Sequence, residues 1–195
     1  MSGISEKQLV RHRPADRILH WVFAACIVLL LLTGILPKLG VEFSWLVFHW
    51  VTGLVLLGAT LLHLLRVVLL KPLLNMWIGP RDFGAGKPGK FSLAQKLMHN
   101  GVAVLALAAI VTGLLMMVRI DTPFWERDPY WLAADTWGVI YVLHGLAALC
   151  FVSTALLHIY FSLRPEKRMY LRAIFKGWIT REEYQREHDP QRWQP

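Results

Sequence analysis

Residues Tyr141–Phe161 read YVLHGLAALCFVSTALLHIYF, a stretch with no charged side chain and two histidines, His144 and His158. Fourteen helical steps of ~100° return to within ~40° of the starting direction, so both imidazoles lie on one side of an α-helix. At 1.5 Å per residue they are ~21 Å apart along its axis. That span fits inside a ~30 Å hydrocarbon layer, with one histidine near each surface. An ionisable ring at that depth is expensive and needs a partner. Two stacked rings point to two stacked cofactors, and haem fits because imidazole is a common axial ligand for its iron.

Three further uncharged runs accompany this one. Ile18–Pro37, Trp45–Leu65 and Leu97–Val118 have 20, 21 and 22 residues, and the run around the opening stretch, Thr136–Leu163, has 28. Each is long enough to cross a bilayer as a helix, which satisfies its own backbone groups there. A hydrophobic content of 55% and a mean hydropathy of +0.43 agree. The fold expected is an all-α integral membrane protein. It is one domain over 1–195, a bundle of four transmembrane helices at about 15–37, 44–70, 93–118 and 136–163. The first run is too long, and lacks a small-residue cleavage site, to read as a signal peptide.

The formal net charge of +8 does not indicate nucleic acid, because its distribution follows topology. Lys7, Arg11, Arg13 and Arg17 precede the first run. Lys71, Arg81, Lys87, Lys90 and Lys96 fall between the second and third, and eight basic residues follow Arg164 onward. The opposite side carries Lys38, Arg119 and Arg127. This positive-inside bias places both termini in the cytoplasm. The setting expected is the bacterial inner membrane. The two cysteines, Cys26 and Cys150, lie in membrane runs and read as packing residues. With no C-x-x-C-H and no cysteine cluster, the chain offers neither c-type haem attachment nor an iron–sulfur centre.

Depth restricts how the histidines pair. His144, near the outer surface, has His49 as its partner at that depth. His158, near the inner surface, has three: His20, His63 and His99. His12 and His188 lie outside the apolar runs and are expected in solvent. Residues 71–92, rich in Gly, Pro and Lys, read as a flexible connection without a phosphate-binding motif. Residues 119–135, with Phe124, Trp125, Tyr130 and Trp131 among acidic residues, read as a docking surface or an interfacial belt. Thr180 with Glu183 three residues later caps a short amphipathic C-terminal helix.

Several segments together resemble the cytochrome b (gamma) subunit of membrane-bound respiratory formate dehydrogenases, and the wider group with the b subunits of nickel–iron hydrogenases and thiosulfate reductases. They are Asp16-Arg17-Ile-Leu-His20-Trp21, Phe48-His49 with Gly53, Gln95-Lys96 with Val111-Thr-Gly113, Leu143-His144-Gly145 and Leu157-His158-Ile-Tyr160. The resemblance covers about residues 13–193.

It implies two haem b groups, one held by His49 and His144 on the periplasmic side and one by His20 and His158 on the cytoplasmic side. With His63 in place of His20, the scheme becomes the two-by-two arrangement of other cytochromes b. It implies a menaquinone or ubiquinone site near the inner haem, at Gln95, Ser92 and His158. Ser92 and Ala94 stand where the best-known member has Asn and Gly. It implies a periplasmic iron–sulfur subunit and a molybdenum or tungsten catalytic subunit as partners. Electrons would pass from them through the haems to quinone. Lys96 or His99 would help supply protons, and Arg17 or Arg66 would meet haem propionates. The rival functions are a stand-alone, quinol-oxidising cytochrome b561-like carrier and a haem-free membrane scaffold or transporter.

Overall fold

The computed structural model describes residues 8–70, 75–84 and 86–195. Lys7 and Lys71, assigned above to the basic side, lie outside them. Four long helices dominate: α1 (Pro14–Ile35), α2 (Trp45–Leu70), α3 (Leu93–Met117) and α4 (Ala134–Leu163). All four are long and apolar enough to cross a membrane. Pro14 starts α1 where a missing N–H costs nothing, and Asp16 accepts from the Arg13 N–H in its first turn. The spans expose most of their apolar surface, as at Val104, Leu107 and Val142, which suits lipid as the surrounding solvent. The chain is a multi-pass membrane protein.

Two compact units make up the chain. One contains residues 22–62 and 101–155, and in it the four spans form a helical bundle closed by polar contacts. Thr33 of α1 meets His49 of α2, His49 faces His144 of α4, and Thr112 of α3 meets His144. The loop between α3 and α4 is anchored at both ends. Trp125 Nε1 donates to Met117 O and Trp137 Nε1 to Pro129 O. Phe124, Tyr130 and Trp131 stay exposed.

The other unit contains residues 1–21, 63–100 and 156–195. Its elements beyond the spans include α5 (Arg168–Lys176), β2 (Trp178–Thr180) and α6 (Arg181–Glu187). A short strand β1 (Gln8–Val10) pairs antiparallel with β2, Leu9 opposite Ile179. The chain's two ends are thereby tied together. Gly177 ends α5 at φ +92°, a left-handed conformation that glycine adopts without penalty. Its carbonyl accepts from the Arg11 and His12 N–H groups. Thr180 and Glu183 form the expected capping box at the start of α6.

This cap corrects three expectations. His188 is fully buried, not in solvent. Its Nδ1 donates to Gly89 O at 2.7 Å, and its Nε2 accepts from Arg11 Nη1 at 2.8 Å, which fixes it as a neutral ring. Arg11 is 1% exposed; its guanidinium lies over Tyr170 at 4.7 Å and Trp193 at 5.2 Å. His12 is half-buried beside Phe91. The described part of residues 71–92 is not a loose connection. Asp82, in a 3-10 turn over Pro80–Phe83, binds Lys96 Nζ and Arg192 Nη2, each at 2.8 Å. Lys96 also donates to Trp77 O, so its ammonium ties the segment to the start of α3. The Gly79 N–H and Lys96 hold the Asp82 carboxyl down at about 2.

Candidate functional site

Within the first-described unit, His49 and His144 face each other with ring centroids 6.1 Å apart. Each is held from behind by a threonine. Thr33 Oγ1 is 2.9 Å from His49 Nδ1, and Thr112 Oγ1 is 2.8 Å from His144 Nδ1. A hydroxyl has one proton to give. Thr33 donates its proton to Leu29 O at 2.7 Å, and Thr112 to Ala108 O at 2.6 Å. Both hydroxyls therefore accept from an Nδ1–H, and Nε2 of each ring keeps its lone pair. That is the tautomer a metal needs, with the outer hydrogen bond that orients a ligating imidazole.

The glycine after each threonine completes the cradle. A Cβ built on Gly34 would stand 3.4 Å from His49 Cε1, and one on Gly113 would stand 3.4 Å from His144 Cε1. The same Thr-Gly pair thus sits behind each imidazole, once on α1 and once on α3. These threonines were not identified from sequence, although the repeated dipeptide near two helix ends was the available signal.

In the other unit, His20 of α1 and His158 of α4 face each other at 6.2 Å. His20 Nδ1 is buried with no hydrogen-bond partner among the described residues. His63 of α2 is set against His99 of α3, at 6.1 Å. Of the three partners open to His158, the structure brings His20 to it.

The two pairs named for haem fit that group. Two metal–imidazole bonds of ~2 Å, plus the nitrogen-to-centre distance of each ring, come to about 6 Å. No group of three or more His, Cys, Asp or Glu side chains that could hold a metal occurs among the described residues. Two facing imidazoles suit a metal whose remaining ligands come from a macrocycle.

Ser92 and Gln95 lie at the start of α3 as a reciprocal cap. The Ser92 N–H donates to Gln95 Oε1 at 3.0 Å, and the Gln95 N–H to Ser92 Oγ at 3.4 Å. Arg66 pairs with Asp16 at 2.7 Å, and Arg17 donates to Ile174 O and Phe175 O. Both arginines, expected near propionates, have protein acceptors.

Residues 11–177 match the family described as prokaryotic cytochrome b561. The chain belongs to that family. As a prokaryotic cytochrome b561 it is a haem b-binding electron-transfer protein of the membrane. It is also similar to two formate dehydrogenase subunits. The cytochrome b556 subunit of Haemophilus influenzae is 23% identical over 212 residues, covering 97% of this chain and 83% of that protein. The cytochrome b556(fdo) subunit of Escherichia coli K12 is 23% identical over 210 residues, covering 95% and 91%. The resemblance seen in the sequence and the family assignment agree.

Proposed function

We propose that this cytochrome b561 is the membrane subunit that carries electrons from a periplasmic iron–sulfur and molybdenum or tungsten enzyme, formate dehydrogenase first among them, to quinone at the cytoplasmic side. The observation that carries the reading is the pair of facing imidazoles in each unit, His49 with His144 and His20 with His158. These four residues would hold two haem b groups. Held between two imidazoles, each group would supply a one-electron couple and leave no position for substrate.

The chain's residues define the rest. Thr33 and Thr112 hold their histidines as Nδ1–H tautomers, ready for a metal. Exposed Phe124, Tyr130 and Trp131 offer the partner subunit an aromatic surface on a loop pinned by Trp125 and Trp137. At the start of α3, Gln95 spends its Oε1 on the cap, which leaves its amide N–H donors for a quinone carbonyl. Ser92 sets that cap, and His158 borders the same quinone site. Two similar subunits carry formate dehydrogenase names, which favours the complex over a stand-alone quinol-oxidising carrier.

Purification from native membranes tests this. A b-type reduced-minus-oxidised spectrum, two haems per chain and a co-purifying iron–sulfur and molybdenum or tungsten enzyme are expected. A haem-free chain contradicts the electron-transfer reading. A dihaem chain that purifies alone, reducible by quinol, contradicts the partner assignment.

A further inference from the structure

His63 and His99 are a third facing pair of imidazoles, centroids 6.1 Å apart and planes at 65°. Neither is used in the haem assignment. Ionisable groups in an apolar span are costly and mark proton or substrate paths by default. The surroundings of this pair give it a direction. Arg66 follows His63 by three residues, so both lie on one face of α2. Arg66 is ion-paired to Asp16 at 2.7 Å, and the Asp16 side chain is 40% exposed. At the other end, His99 follows Gln95 by four residues and shares its face of α3. A polar line therefore runs from an exposed carboxylate, past Arg66, through two imidazoles, to the face of α3 that carries Gln95.

We infer that Asp16, His63 and His99 form a proton relay that feeds quinone reduction beside Gln95. The inference rests on the quinone-reducing function proposed above. Reduction of one quinone takes two electrons, delivered by the haem-linked donor, and two protons, and it forms an O–H bond at each carbonyl oxygen. His99 gives each proton to the quinone and is reprotonated by His63. Asp16 takes protons from the aqueous side and passes them to His63. Arg66 holds the Asp16 side chain in place through their 2.7 Å contact. Among the groups that act on His63 are Asp16 of α1, Arg66 of α2 and His99 of α3.

The test uses the purified dihaem protein, reduced and mixed with decylubiquinone, with haem reoxidation followed by stopped flow. His63→Gln and His99→Gln keep polar side chains that cannot carry a proton. Each is expected to retain two haems and to slow reoxidation by about 10²-fold, in the range of lost general acid catalysis. Added imidazole is expected to restore part of the rate. Loss of one haem in either variant would make that histidine an iron ligand and overturn the relay. Wild-type rates in both variants would overturn it too. Wild-type protein that decylubiquinone does not reoxidise would bring down the underlying function instead.

Discussion

Thr33 Oγ1 accepts a hydrogen bond from His49 Nδ1 across 2.9 Å, because its own proton is committed to Leu29 O. A backbone carbonyl thus decides which imidazole nitrogen is left for a metal. Thr112 repeats the arrangement on His144. Thr33→Val and Thr112→Val keep the shape and remove the acceptor. Each is expected to weaken haem retention at that site by 10- to 100-fold, as loss of a hydrogen bond behind a metal ligand does. Serine at either position should restore it. Haem content during detergent dilution measures both.

The glycine cradle gives a steric prediction. Gly113→Ala puts a methyl 3.4 Å from His144 Cε1, a contact the ring can absorb. Gly113→Val adds two further methyl groups and displaces the imidazole. Alanine should keep two haems per chain and valine should lose one, read from the pyridine haemochrome.

Asp82 holds two cations, Lys96 and Arg192. The Lys96 and Asp82 side chains are 9% and 4% exposed. Asp82→Ala leaves a buried ammonium without its counter-charge, a change that costs about 3–5 kcal/mol when a buried pair is broken. Because Arg192 sits near the end of the chain, the tail should become susceptible to limited proteolysis. The four membrane helices should keep their helicity by circular dichroism.

The cap should also respond to acid. Burial, aided by Arg11 and Lys90, pushes the His12 imidazole down to about 3, and burial beside Arg11 lowers His188. Both rings stay neutral in the folded cap at a pH where the unfolded chain, with a histidine near 6.5, binds protons. Their contribution is complete above about 6.5. It falls as the pH drops, for His12 towards 3, by up to about 1.4 kcal/mol per pH unit per ring. Thermal unfolding of the detergent-solubilised protein at pH 7.5 and pH 5 should show a lower midpoint at pH 5, and His12→Phe should shrink the difference.

The spans could be read from sequence because the signal is local. Twenty or so uncharged residues leave the backbone one acceptable conformation in lipid, and helical rise fixes the depth of each histidine. That logic places His49 opposite His144. It could not separate His20, His63 and His99, which share a depth and differ only in which helices face each other. The cap was illegible for a different reason. Arg11 and His188 are 177 residues apart in sequence, and a polar histidine in a charged tail carries no local mark of burial. Ser92 and Gln95 cap α3 in the structure, a pairing the sequence reading did not single out. Their quinone role comes from resemblance and stands as a proposal.

Haem stoichiometry of wild type, His144→Ala and His158→Ala, purified side by side, tests the central claim most directly. The account predicts two haem b groups per chain in the wild type and one in each variant, with different spectra for the two survivors. Two haems retained in both variants, or none in the wild type, would contradict it.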